Sequence, residues 1–257
     1  MLAPVPPEER PALRALFDEC AGLHGCVDAA LDGAMGEVWS GGSPASVVLA
    51  RFDFSFLAGD PKAPEAEEAV HRIGEPASVV VSTDGWLPLL QRVFGEKLTT
   101  RTRVAFADPG DWDRDRLRAF IDVLPEGFEL RRFAIDDAGR FRELADSLVY
   151  NFASLEDFIE RGVGFGIEHE GRFVSGCSSF AISPRSLEFE IQTHPDFQRR
   201  GLATASASAM ILHCLNAGLE PCWDAHNLIS AALATKLGFV EPVAYTAYEA
   251  GLATGEA

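Results

Sequence analysis

The sequence contains no hydrophobic run of the length that a membrane-spanning helix needs. No stretch approaches about 18 consecutive apolar residues, and the opening MLAPVPPEER lacks the basic start and apolar run of a secretory signal. The five cysteines are scattered, and none forms the Cys-x-x-Cys pair of a zinc knuckle or belongs to a disulfide framework. We therefore expect a cytoplasmic protein that has reduced thiols, binds no metal and does not enter a membrane.

Positive charge is also scarce. The chain has 22 lysines and arginines against 39 aspartates and glutamates, which gives a formal net charge of −17. This balance argues against a nucleic-acid partner, because phosphates need a basic footprint. The acidic field favours a cationic small molecule over an anionic one; the alternative is that the charge only keeps the protein in solution.

The first half of the chain alternates between helix and strand patterns. Apolar spacing predicts a helix over 8–23, GDPKAPEAEEAVHR predicts a loop and then a helix, and DGWLPLLQRVFGEK predicts a further helix. Strands are predicted at 45–57, 77–82 and 98–106. Another helix is expected after the polar break at 107–116, and a domain boundary at the Pro-Glu-Gly break. This order predicts a smaller α/β region over residues 1–125.

The second half has a clearer order of elements, and no internal repeat is detectable in the sequence. The predicted elements are a strand at 128–135, a helix from Asp136 to about Val149, a short helix after Ser154, a hairpin around Glu170-Gly171, a strand at 187–193, a helix ended by Gly218, a strand at 221–225, a helix after Asn227 and a strand at 243–250. Glu188, Glu190 and Gln192 share one face of their strand.

A positively charged turn, QRRGLA, lies between the strand at 187–193 and the next helix. The first N–H groups of a helix have no internal partner, and they carry the positive end of the helix dipole, so they form a ready anion site. Gly201 lets the backbone approach a ligand, and Arg199 and Arg200 add donors suited to phosphate oxygens. The turn fits a pyrophosphate; the alternative is a surface turn with solvated arginines.

A second sequence pattern follows this helix and makes the functional prediction more specific. The short strand PCWDA leads into NLISAALATKLGF. Together the two patterns resemble the GCN5-related N-acetyltransferases, the GNAT superfamily, whose acetyl-CoA motif Q/R-x-x-G-x-G/A is matched by Gln198, Gly201 and Ala203. Residues 126–257 look like a whole GNAT domain with a mixed central sheet flanked by helices. THPDFQRRGLATA, PCWDAHNLIS and LATKLGF resemble more narrowly the zwittermicin-resistance-type subgroup, which has an extra N-terminal region.

The resemblance implies that acetyl-CoA is the cosubstrate and that its pantetheine arm enters a gap between two splayed strands. By this likeness, backbone groups of Ile191, Gln192 and Thr193 would pair with pantetheine, Gln198 and the amides of Arg199, Arg200, Gly201, Leu202, Ala203 and Thr204 would hold the pyrophosphate, Asn227 would bond the pantetheine arm, and Ser230, Leu233 and Lys236 would line its outer side.

The resemblance also implies a general base, and the strand at 187–193 offers two. We expect Glu190 to take the proton of the amine, with Glu188 as the second candidate; the alternative is that both are structural carboxylates. Superfamily members often place a tyrosine seven residues after the asparagine as general acid, but Ala234 stands there. This departure leaves the acid role unassigned, with Tyr245 and Tyr248 as candidates.

The function implied is transfer of acetyl from acetyl-CoA to an amine of a small molecule by direct attack, without an acyl-enzyme. Two alternatives stay open: a non-catalytic acyl-CoA-binding regulatory module, which Ala234 supports, and acetylation of a protein or peptide amine. The sequence decides neither the acceptor nor whether the protein is a monomer or a homodimer.

Overall fold

The structure is a computed structural model that describes residues 1–42, 48–51 and 54–251. In these ranges the α-helices are α1 (His24–Leu31), α2 (Ala66–Ile73), α3 (Leu87–Phe94), α4 (Arg114–Asp122), α5 (Ala138–Leu144), α6 (Leu155–Arg161), α7 (Leu202–Ala217) and α8 (Leu228–Leu237). The 3-10 helices are Arg10–Phe17, Asp84–Trp86, Gly95–Lys97, Ile135–Asp137, Asp146–Leu148 and Pro195–Phe197. None of the described helices has both the length and the hydrophobicity that a membrane crossing demands.

The β-strands are β1 (Ala3–Pro4), β2 (Glu37–Ser40), β3 (Val48–Arg51), β4 (Phe54–Ala58), β5 (Ala77–Val81), β6 (Leu98–Ala107), β7 (Phe128–Arg132), β8 (Gly164–His169), β9 (Arg172–Ile182), β10 (Ser186–Thr193), β11 (Glu220–Cys222), β12 (Asp224–Ala225) and β13 (Val240–Ala250). They form one sheet in the order β1-β2-β3-β4-β5-β13-β6-β12 and a second in the order β11-β10-β9-β8-β7. Together with the helices, these sheets confirm the predicted mixed α/β class.

The chain divides into two compact units that are not contiguous in sequence. The first unit contains residues 1–105, 224–228 and 242–257, and the second contains 106–223 and 229–241. These units differ from the predicted ranges 1–125 and 126–257, because α4 belongs to the second unit and most of β13 to the first. That either predicted range folds as an independent domain stays a prediction.

The first unit is built on antiparallel strands followed by a parallel crossover. β1 to β4 pair antiparallel in sequence order, and β5 then pairs parallel with β4. α2 makes this crossover, as a parallel connection requires. Its apolar side is buried, and the core beside it contains Val70, Val79, Trp86 and Leu90.

The second unit repeats this order of elements. β7 to β10 pair antiparallel, and β11 pairs parallel with β10 after α7. The sequence shows no repeat, yet each unit runs through four antiparallel strands, a helix, a parallel strand and a further helix. Small residues make α7 apolar on most of its surface, and Ser206 and Ser208 are fully buried in it. The core beside α5 stacks Phe133 on Phe141, with ring centroids 4.5 Å apart.

Several predicted elements are confirmed at their ends. Ser154 caps α6, where its side chain accepts a hydrogen bond from the Asp157 amide. Gly218 ends α7 in the left-handed conformation, with a φ of 72°. The predicted hairpin turn at Glu170-Gly171 lies between β8 and β9.

The predicted helix over 8–23 is wrong. A 3-10 helix covers Arg10–Phe17, and α1 starts only at His24, after Leu23 has adopted a left-handed φ of 57°. The left-handed backbone at Leu23 interrupts a right-handed helix at this point. Gly22, which precedes it, packs closely against other side chains, since a Cβ on it would lie 2.3 Å from Asp224 Oδ2 and 2.5 Å from the Tyr245 ring.

Three other predicted elements need correction. The helix expected from Asp136 to Val149 ends at Leu144, because Ala145 is extended with a φ of −167°. The predicted strand at 45–57 is instead two antiparallel strands, β3 and β4, and its residues 45–47 and 52–53 lie outside the described ranges. The predicted strand at 221–225 divides into β11 and β12, which belong to different sheets.

Candidate active site

The centre of the site is a fork between β10 and β11. These parallel strands pair at only three positions, Ser186 with Glu220, Leu187 with Pro221 and Glu188 with Cys222. The chain then enters β12, which pairs with β6. In the described ladders, β10 beyond Glu188 therefore pairs only with β9, and its other edge presents backbone N–H and C=O groups.

An irregularity in the sheet lies at the same point. The register between β9 and β10 shifts between Glu188 and Phe189, so that β9 contributes one extra residue there. A bulge of this kind bends a strand and increases its twist. The bulge and the loss of β11 pairing therefore coincide at the base of the fork.

Aromatic rings fill the base of the fork within the second unit. The rings of Phe189 and Trp223 meet edge to face with centroids 5.8 Å apart, and Phe239 packs against both, at 6.4 and 5.4 Å. The indole N–H of Trp223 donates to Ser230 Oγ over 3.2 Å. Ser230, predicted from the resemblance to line the cofactor, is thereby tied to the fork.

The turn after β10 presents backbone amides at the start of α7. Arg199 and Gly201 both adopt left-handed φ values, 59° and 82°. Gly201 is the N-cap of α7, and no side chain caps this end. The first backbone amides of α7 therefore have no side-chain cap, so their N–H groups are available to bind an anion.

Charged side chains lie beside this turn. Arg200 Nη2 donates to the Asp196 carbonyl over 3.2 Å, and its guanidinium lies 5.2 Å from the centre of the Phe197 ring. Lys236, in the last turn of α8, donates to Thr204 Oγ1 over 3.2 Å. The second unit thus brings a lysine of α8 to the first turn of α7.

The two candidate bases differ in their surroundings. Glu188 is only 2 % exposed and lies in the paired part of β10. Glu190 is half-buried on the segment past the fork, and Gln192 Nε2 donates to its Oε1 over 3.0 Å.

Burial, with Cys214 and Glu190 nearby, holds the pKa of the Cys177 thiol well above its ordinary value.

The predicted site residues divide between the two units. The second unit contains Glu188, Glu190, Ile191, Gln192, Thr193, Gln198, Arg199, Arg200, Gly201, Leu202, Ala203, Thr204, Ser230, Leu233 and Lys236, and the first contains Asn227 and Tyr245. In the first unit, Asn227 Nδ2 lies 2.9 Å from His226 Nε2. Burial, followed by the charges of Arg103 and Arg101, lowers the pKa of His226.

Tyr245 belongs to a buried ionic cluster that the sequence analysis missed. Its hydroxyl donates to Asp224 Oδ2 over 2.8 Å, and Arg103 Nε lies 2.5 Å from the other carboxylate oxygen. Burial and the Asp224 carboxylate raise the pKa of Tyr245 far above its ordinary value. The arginines in the strand pattern TRTRV are the one sequence signal that could have indicated this cluster.

Comparison with known proteins supplies a family. The family described as GNAT acetyltransferase matches residues 14–248. The chain is 30 % identical over 179 residues to the uncharacterized N-acetyltransferase YdfB of Bacillus subtilis (strain 168). That match covers 66 % of this chain and 64 % of YdfB, so the chain spans less than two thirds of that relative.

Solved structures have the same fold over nearly all of the chain. A GCN5-related N-acetyltransferase-like protein from Streptococcus suis 89/1591 has a TM-score of 0.83 at 32 % identity, covering 95 % of this chain and 98 % of that one. A tandem GNAT protein from the clavulanic acid biosynthesis pathway has a TM-score of 0.55 at 14 % identity, covering 98 % and 99 %. The second likeness shows the fold alone, and it agrees with the repeated order of elements.

Proposed function

Because the chain belongs to the GNAT acetyltransferase family, we propose that it transfers an acetyl group from acetyl-CoA to an amine of a small molecule. The observation that carries this proposal is the fork, whose unpaired β10 edge leads directly to the uncapped start of α7. An edge strand can pair with an amide-containing chain, and the helix start can hold an anion. In acetyl-CoA, pantetheine is an amide-containing chain and the pyrophosphate is an anion.

The residues of the turn fit a pyrophosphate. The amides of residues 199–204 would hold it, with Arg199 and Arg200 adding charge. A Cβ built on Gly201 meets nothing within 4 Å in the protein. The space over Gly201 is therefore open to a ligand. In β10, backbone groups of residues 191–193 would pair with pantetheine.

The chemistry requires a base for the amine and a donor for the carbonyl oxygen. Acetyl-CoA supplies the thioester that the amine attacks; the new C–N bond forms as the C–S bond breaks, and coenzyme A leaves as its thiolate. Glu190 would accept the amine proton, and the bond from Gln192 Nε2 orients its carboxylate. A backbone N–H near Gln192 or Thr193 would stabilise the oxygen on which charge develops. Glu188 stays the second candidate base, although it lies on the closed side of the fork.

We leave the general acid unassigned. Ala234 stands where the resemblance implies a tyrosine, and it is fully buried. The proton of Tyr245 is already engaged with Asp224, and its raised pKa makes it a weak acid. This geometry supports a structural role for Tyr245.

The proposed base is tested by thiol release from acetyl-CoA across a panel of amines, with the wild type and Glu190→Gln. We expect kcat/KM to fall by about 10²–10⁴-fold near pH 7. The loss should shrink as the pH rises, because an amine that is already deprotonated needs no base.

Glu129→Gln, an exposed carboxylate of β7, is the matched control and should keep wild-type activity. Full activity of Glu190→Gln across the pH range would remove Glu190 from the mechanism. Calorimetry with acetyl-CoA is run in parallel, so that loss of chemistry and loss of binding are separated.

The second candidate function is an acyl-CoA-binding regulatory module without catalysis, which Ala234 favours. Binding of acetyl-CoA without thiol release for any amine would support it. For the enzyme, the formal charge of −17 favours an amino-bearing, cationic acceptor. The motif runs support a relation to the zwittermicin-resistance-type subgroup, which also remains a proposal.

A further inference from the structure

A cationic patch lies beside the first turn of α7, within the second unit. It consists of Arg116 and Phe120 of α4 and Lys236 of α8. Of these residues, the family resemblance implies a role for Lys236 alone. α4 precedes the range that resembles a GNAT domain, so the motifs do not include the other two residues.

The contacts of the patch fix both charges near one ring. Lys236 Nζ lies 5.1 Å and Arg116 Cζ 5.6 Å from the centre of the Phe120 ring. Arg116 Nη2 donates to the Lys236 carbonyl over 2.8 Å, and Lys236 Nζ donates to Thr204 Oγ1 over 3.2 Å. Because Thr204 is the third residue of α7, the patch begins within one turn of the proposed pyrophosphate site.

The charges of the patch are not neutralised by acidic side chains. Both cations are exposed, and in the described part of the chain neither forms an ion pair. Arg118 of the same helix differs, since its guanidinium lies 2.7 Å from Asp115. Lys236 is also the only lysine after Lys97 in a chain of net charge −17. Two like charges held against one ring repel each other, and an anion bound between them would relieve that repulsion.

We infer that this patch binds the 3′-phosphate on the ribose of coenzyme A. The inference rests on the proposed function, because it extends the same cofactor site. In coenzyme A the 3′-phosphate and the pyrophosphate are carried by one ribose, so the two groups must bind close together. A phosphate monoester carries nearly two negative charges at pH 7, and lysine and arginine are its usual partners.

The test compares coenzyme A with 3′-dephospho-coenzyme A by calorimetry on the full chain. We expect the wild type to bind coenzyme A about tenfold more tightly. Lys236→Met and Arg116→Met should each lower the affinity for coenzyme A by about threefold to tenfold and leave the affinity for 3′-dephospho-coenzyme A unchanged. The double variant should bind both ligands alike.

Arg118→Met is the matched control and should leave both affinities unchanged. Equal affinity of the wild type for the two ligands would overturn the inference, and this comparison needs no variant. Equal weakening of both ligands in the variants would also overturn it, because Arg116 would then act only as a cap on the α8 carbonyl. Failure of the wild type to bind either ligand would reject the proposed function itself, which is a distinguishable result.

Discussion

Gly201 and Gly218 stand at the two ends of α7, and both adopt the left-handed conformation, with φ values of 82° and 72°. A Cβ built on either glycine meets nothing within 4 Å. Alanine at either position would therefore cost only the backbone strain of that conformation, about 1–2 kcal/mol. The two positions differ in what they face, because only Gly201 lies at the proposed pyrophosphate site.

We predict that Gly201→Ala and Gly218→Ala lose similar stability but differ in ligand binding. Each should lower the free energy of unfolding by about 1–2 kcal/mol in urea titrations. Only Gly201→Ala should lower the affinity for acetyl-CoA, by at least about tenfold, because its methyl group would occupy the space of the ligand. Equal affinities of the two variants in calorimetry would contradict a ligand over Gly201.

At this scale the sequence predicts the turn well and its neighbours poorly. Gly201, Arg199 and Arg200 are adjacent in the chain, so a local pattern contains their geometry. Arg116 and Lys236 are 120 residues apart, and no local pattern brings them together. The glycines at 164 and 166 also had no predicted role. The structure shows that a Cβ on them would lie 2.2 and 2.5 Å from the Phe133 ring.

Among the elements, β12 is the least predictable. It has two residues, and nothing in PCWDA indicates that the first part pairs with β10 and the last with β6. Asp224 gives the physical reason, since its carboxylate is 1 % exposed and is bound by Arg103 of β6 and Tyr245 of β13. A buried carboxylate with two partners anchors its strand, because leaving it unpaired is costly.

We predict that Tyr245→Phe destabilises the protein without removing catalysis. Loss of a hydrogen bond to a buried carboxylate should lower the free energy of unfolding by about 1–3 kcal/mol. Tyr248→Phe is the matched control on β13, because in the described ranges its hydroxyl makes no hydrogen bond, and it should be milder. A fall of kcat by about 100-fold at unchanged stability would instead identify Tyr245 as the proton donor.

At the scale of the whole molecule, the two units share an order of elements but not a site. In the second unit, β10 and β11 separate after three pairs. In the first, the corresponding strands β4 and β5 pair at four positions, from Phe54 with Ser78 to Leu57 with Val81. This ladder leaves no fork among the described residues. The sequence does not indicate the repeat, because the first unit has the same order of elements but lacks the QRRGLA motif of the second.

The helix that follows β4 is also unsuited to a phosphate. Glu67 and Glu68 lie in the first turn of α2, and Glu65 is its N-cap. Acidic side chains at a helix start are favourable for the helix dipole, but they repel an anionic ligand. Glu68 also accepts a hydrogen bond from the Leu2 amide over 3.0 Å. The start of α2 is therefore surrounded by acidic side chains, although Glu65 does not cap its amides with a side-chain hydrogen bond.

We therefore predict that the chain binds one molecule of acetyl-CoA, although its architecture contains the order of elements twice. Calorimetry should give a stoichiometry of about one acetyl-CoA per chain, and Gly201→Ala should lower the affinity of that single binding event. Glu67→Gln with Glu68→Gln serves as the control in the first unit and should leave stoichiometry and affinity unchanged. A second binding event that persists in Gly201→Ala and responds to the glutamate changes would show that the first unit binds the cofactor too.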